Sequence, residues 1–160
     1  MFTLADVCNI AIQIERNGEA AYRRAAQNSK NSEIIYFFEQ MADEEKQHAE
    51  WFSKLSIAAG PIDKDAQIEE MGRELLQNMM AHQTFSMDTQ SLAGVDRMDT
   101  ALQQSIEFEN DTILFYEMLH GFLDDSNTMR HLENIIAEEQ GHIDKLKRIV
   151  QKLIVENQMF

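Results

Sequence analysis

The chain has 160 residues, 44% of them hydrophobic, which is enough for one sizeable core and too short for two comfortable domains. Its 14 basic residues against 28 acidic ones leave a net charge of −14, which repels a phosphate backbone and leaves no basic footprint for nucleic acid. No apolar run approaches the ~20 residues that cross a bilayer, and the start Met1-Phe2-Thr3-Leu4-Ala5-Asp6 lacks the basic segment of a secretory signal, so a cytoplasmic protein is expected.

One proline, six glycines and long stretches of Ala, Glu, Gln, Leu and Met predict an all-α fold in a single domain spanning 1–160. Thr3 with Asp6 reads as a capping-box-like start. Leu4, Val7, Ala11, Glu15, Gly18, Tyr22 and Ala25 then form the inward stripe of a first helix ending near Asn28-Ser29. Cys8, in that helix, can form no internal disulfide and is read as a small buried hydrophobe. Ser32 is a candidate cap for a second helix with the stripe Ile34, Phe38, Met41, Glu45, His48, Phe52, Leu55, Ala59, stopped by Gly60-Pro61.

The crossover, 60–98, carries Ile68, Met71, Leu75, Leu76, Met79 and Met80 at helical spacing, so a short amphipathic helix is expected between Asp65 and Ala81. It would pack on the bundle or form a homodimer surface, where methionines adapt well. A third helix is expected from about Asp99 with Leu102, Ser105, Glu109, Thr112, Tyr116 and Leu119 inward. A Ser126 cap then opens a fourth, with Thr128, Leu132, Ile135, Glu139, His142, Leu146, Ile149 and Leu153. Two hairpins result, 3–59 and 99–157.

Six polar residues fall in these apolar stripes, as two copies of one set 94 positions apart: Glu15, Glu45 and His48 recur as Glu109, Glu139 and His142. The same offset pairs Ile12 with Ile106, Tyr22 with Tyr116, Ser32 with Ser126 and Glu44 with Glu138. Antiparallel helices rising about 1.5 Å per residue bring residues level when their numbers average to the turn. Glu15 and Glu45 average to Lys30 and Glu109 and Glu139 to Asp124, each inside its turn. Each histidine lies three residues on, along the same face. Bringing the two sets together requires helices two and three to run parallel, joined by a crossover of the bundle's length.

Four ionised carboxylates in a core would each cost several kcal/mol unpaired. Two divalent cations cancel them. A register-fixing device would need one polar residue rather than six at one level. Glu117-x-x-His120 matches the Glu-x-x-His spacing a third time, but its counterpart under the offset, Arg23-x-x-Ala26, has neither ligand, so it is set aside. His82, His120 and His131 have no paired carboxylates and are assigned surface or structural roles.

The chain here resembles the ferritin-like di-iron carboxylate proteins, in which two helices give one Glu each and two give Glu-x-x-His. Ile12-Gln13-Ile14-Glu15 through Tyr22, and Ile106-Glu107-Phe108-Glu109 through Phe115-Tyr116, look like rubrerythrin. That resemblance implies a ferritin-like four-helix bundle holding two Fe ions per chain. Glu45 and Glu139 would bridge them, Glu15 and Glu109 would be terminal, and His48 and His142 would each hold one iron. It also implies near-site roles for Tyr22 and Tyr116; ordinary core tyrosines are the other reading. Mn or Zn could occupy such a site in a purified sample. Lys46 stands where bacterioferritins carry a haem-ligating Met, so no haem is expected. Thr112 stands where rubrerythrins carry an extra glutamate. The sequence has no Cys-x-x-Cys, so an external donor such as a rubredoxin is expected to supply electrons.

Peroxide or dioxygen reduction is the leading expectation. Iron oxidation and storage in a hollow shell, or metal binding without turnover, are the alternatives.

Overall fold

A computed structural model describes residues 4–58 and 95–158. These form four helices: α1 (Leu4–Asn28), α2 (Ser32–Ala58), α3 (Val95–His120) and α4 (Ser126–Gln158). The expected Thr3 cap, Gly60-Pro61 stop, crossover helix and His82 lie outside the described residues. Helix α3 starts at Val95, earlier than the expected Asp99, and nothing in Val95-Asp96-Arg97-Met98 breaks a helix.

Two caps differ from expectation by one residue. Asn31 Oδ1 accepts from the amides of Glu33 (2.9 Å) and Ile34 (3.3 Å), so Asn31 rather than Ser32 caps α2. Asp125 Oδ2 accepts from the Thr128 amide at 2.8 Å and its hydroxyl at 2.7 Å, so Asp125 rather than Ser126 caps α4. A cap reaches the amides two and three residues ahead, and these residues stand at that distance. After α3, the amides of Gly121, Phe122 and Leu123 fold back onto the carbonyls of Met118, Leu119 and His120, which closes the second turn.

Side-chain pairs fix the directions of the helices. Between α1 and α3, Tyr22 meets Glu109 and Tyr116 meets Glu15. Between α2 and α4, Glu33 meets Lys152, Glu44 meets His142 and His48 meets Glu138. In both sets the numbers rise on one helix as they fall on the other, so each pair of helices is antiparallel. Arg23 to Asp43 and Asn9 to Ser56 show the same for α1 and α2. Helices α2 and α3 therefore run parallel, and the fold is a ferritin-like four-helix bundle.

Two apolar clusters form the core. One gathers Val7, Cys8, Ala11, Phe52, Tyr116, Leu119 and Leu132; the other gathers Tyr22, Phe38, Met41, Leu102, Ile143 and Leu146. The repeated polar set lies between them along α1, α2 and α4. Burying these apolar side chains contributes roughly 1.5–3 kcal/mol each, and that gain holds the polar layer in place. Among the described residues no helix is long and apolar enough to cross a membrane.

Candidate metal centre

Each of the four helices contributes a carboxylate from its inward stripe, and α2 and α4 add a histidine one turn further on. All six residues are buried, with His48 the most exposed at 4%. One oxygen or nitrogen from each of Glu15, Glu45, His48 and Glu139 lies within 4.8 Å of the others, and Glu45, Glu109, Glu139 and His142 form a second such group. Glu45 and Glu139 belong to both groups, which is the arrangement that bridging ligands require.

Both imidazoles turn Nδ1 inward. His48 Nδ1 is 2.8 Å from Glu139 Oε1, 3.6 Å from Glu15 and 3.9 Å from Glu45. His142 Nδ1 is 3.1 Å from Glu139, 3.3 Å from Glu45 and 3.6 Å from Glu109. The outward nitrogens are held across the hairpins: His48 Nε2 lies 2.6 Å from Glu138, and His142 Nε2 lies 2.5 Å from Glu44. Sequence reasoning paired Glu44 with Glu138 by the repeat but gave them no role.

The two phenols also cross between halves. Tyr22 Oη donates to Glu109 and Tyr116 Oη donates to Glu15. Burial, then the neighbouring carboxylates, push both phenols well above their usual range, so they keep their protons. Thr112 spends its hydroxyl on the Phe108 carbonyl at 2.8 Å. Glu117 is exposed and His120 pairs with Glu133 at 2.9 Å, away from the centre.

Charge is unevenly shared among the ligands. Burial, then repulsion from Glu139, pushes Glu109 up to about 8. Burial and the carboxylates of Glu139, Glu15 and Glu109 hold Glu45 well above its ordinary value. Burial and Glu15 also push Glu139 upward, but hydrogen bonding from His142 and His48 outweighs them and leaves it lowered. Burial opposes the charged form of His48, yet Glu139 and Glu15 raise it to about 11. His142 is raised in the same way by Glu109 and Glu139. Protons retained on Glu45, Glu109, His48 and His142 thus offset the clustered carboxylate charge.

Among the described residues, five buried side-chain atoms have no aligned hydrogen-bond partner: Glu15 Oε2, Glu45 Oε1, His48 Nδ1, Glu109 Oε2 and Glu139 Oε1. Unsatisfied buried polar atoms are rare and costly, and here all five belong to the converging set. Carboxylate oxygens with imidazole nitrogens suit first-row divalent metals, so the donors fit two such ions.

Beside the centre, a cavity of about 340 Å³ between α2 and α4 reaches His48 and Glu138 and is flanked by Trp51 and His131.

Fold and site together define a ferritin-like bundle with a candidate dinuclear carboxylate-histidine metal centre. The rubrerythrin family model matches residues 6–150, and the chain belongs to that family. Among solved structures, it is similar to a ferritin-like diiron-carboxylate protein from Thermotoga maritima. Identity is 24%, the TM-score is 0.67, and the match covers 94% of this chain and 95% of that one. It is also similar to a hypothetical protein from Pyrococcus furiosus, at 16% identity and a TM-score of 0.72, covering 96% and 91% respectively. No curated protein matches the chain.

Proposed function

We propose that this protein reduces hydrogen peroxide at a di-iron centre held by Glu15, Glu45, His48, Glu109, Glu139 and His142. Its carrying observation is the pair of overlapping ligand groups sharing Glu45 and Glu139, with a protonated phenol on each terminal carboxylate. When bound, two ferrous ions supply the two electrons that, with two protons, convert peroxide to two waters.

The chain's own residues set the conditions for this. Glu45 and Glu139 join the two halves, while Glu15 and Glu109 complete one half each. Tyr22 and Tyr116 keep hydroxyl protons at the terminal carboxylates. Glu138 and Glu44 hold the imidazoles with Nδ1 turned inward. These 160 residues contain one cysteine and so hold no four-thiolate iron of their own. Electrons for repeated turnover come from an external donor of the rubredoxin type.

One equivalent of peroxide should rapidly oxidise the reduced, iron-loaded protein, after which turnover should stop. It should resume on adding a rubredoxin-type donor with its reductase. Retention of far more than two irons per chain in a large assembly, formed without a donor, would overturn this reading in favour of storage.

A further inference from the structure

The groove between α2 and α4 approaches the centre unequally from its two ends. Of the six candidate ligands, His48 alone lines the cavity of about 340 Å³ in that groove, a space that accommodates several waters. Glu138 lines it too. This carboxylate is 54% exposed and holds His48 Nε2 at 2.6 Å, so one side chain meets both solvent and ligand. The matching carboxylate on His142, Glu44, is more covered, at 36% exposed.

The repeat shows what differs around the two histidines. Under the 94-residue offset, His131 and Asn134 correspond to Phe37 and Gln40, and Trp51 and Lys54 to Lys145 and Arg148. Phe37 packs against an apolar core cluster and meets Phe38 with centroids 5.2 Å apart. His131 is instead exposed and stacks flat on Trp51, with centroids 4.4 Å apart and planes 2° from parallel. The two rings cover each other, and neither fills the cavity they line.

Charge differs as well. Two carboxylates, Glu50 and Glu138, and one ammonium, Lys54, line the cavity, which is therefore negative with His131 neutral. The corresponding positions beside His142 hold two carboxylates, Asp144 and Glu44, and two cations, Lys145 and Arg148, of which Lys145 attracts Glu44. A concave site lined by one sign of charge raises the local concentration of the opposite ion and its rate of arrival.

We infer that divalent metal ions enter and leave the centre through the cavity beside His48, and not from the His142 side. The inference rests on the two-metal centre and not on its peroxide chemistry. Glu50 and Glu138 draw the ion into the cavity. It then passes the His48 imidazole, the one ligand on that wall, into the set formed by Glu15, Glu45 and Glu139. Glu138 on Nε2 afterwards keeps the imidazole facing the metal.

An entrance alters rates without altering the equilibrium, which separates it from a ligand or a structural contact. Metal-free, full-length protein is mixed with Co²⁺, whose binding is followed by visible absorption, and release is then timed against excess chelator. Asn134→Trp, at an exposed lining position, should slow uptake and release several-fold by the same factor and leave affinity unchanged. Glu50→Lys should slow uptake roughly tenfold at low ionic strength, an effect that fades as salt is added. Gln40→Trp and Asp144→Lys, at the corresponding positions beside His142, should match the wild type. Unchanged rates in both cavity variants, equal slowing in both controls, or an affinity that falls with the uptake rate in Asn134→Trp would each overturn the entrance. Binding of no Co²⁺ by the wild-type chain, read from the amount bound and not from a rate, would overturn the centre and the entrance with it.

Discussion

Glu138 on α4 holds the outward nitrogen of His48 on α2 at 2.6 Å, and Glu44 on α2 holds that of His142 on α4 at 2.5 Å. Each histidine is therefore fixed by a carboxylate from the opposite hairpin. A carboxylate on one imidazole nitrogen fixes the tautomer and presents the other as a ligand. Attraction to His142 lowers Glu44 below its ordinary range, against the effect of burial, so this carboxylate stays ionised.

Removing that support should loosen the centre without removing a ligand. Glu138→Ala is expected to weaken metal affinity by roughly 10- to 100-fold, with Glu138→Gln recovering part of the loss. Competition with a chelator measures it. Wild-type affinity in Glu138→Ala would show that the pair is incidental.

Bridging makes a different demand. Glu45 and Glu139 serve both ligand groups, so Glu45→Ala or Glu139→Ala should reduce loading below two ions per chain. Glu117→Ala, at an exposed position, should not. Metal analysis of the purified variants decides the matter, and full loading after either bridge is removed would refute the assignment.

Sequence periodicity placed all six candidate ligands in the core because stripes such as Phe38, Met41, Glu45, His48 and Phe52 keep one helical phase through the polar positions. The caps shifted by one because Asn31-Ser32 and Asp125-Ser126 each offer two favourable cap types in succession. Glu44 and Glu138 sit just beside the stripe and are only partly buried or exposed, so as sequence they resemble solvated charge. Their recurrence at the ligand offset was the available signal. Contacts between helices, such as Trp51 with His131, leave no trace in one-dimensional spacing.

Gly18 offers a test of packing against the centre. An added Cβ would lie 3.4 Å from Phe108 and 3.5 Å from the Glu45 carboxyl carbon, which is van der Waals contact rather than overlap. Glycine inside a helix costs about 1 kcal/mol relative to alanine, so Gly18→Ala should raise stability by up to about that amount. Gly18→Leu has no room and should displace Glu45, lowering metal loading. Denaturant midpoints and metal content of the two variants report these effects, and a destabilised Gly18→Ala would contradict the geometry.

The last prediction couples protons, metal and stability. Glu109 rises from 4.5 to about 8 in the folded chain, chiefly through burial, and His48 from 6.5 to about 11, where attraction to carboxylates exceeds the opposing effect of burial. In the metal-free protein both groups hold more protons folded than unfolded, so stability must fall as pH rises. The two windows overlap between 6.5 and about 8. Glu44 and Glu139, both lowered, act in the opposite sense only near and below 4.5 and do not change across that window. Each extra proton held by the folded state contributes a slope of about 1.4 kcal/mol per pH unit. The melting temperature of the chelated protein should therefore drop from pH 6.5 to 8, while its affinity for metal, which displaces those protons, should increase. Loaded protein should melt higher than chelated protein, with the gap widening toward pH 8. Thermal melts at matched ionic strength test this directly, and a metal-free melting temperature that rises over the window would reverse the proton assignment.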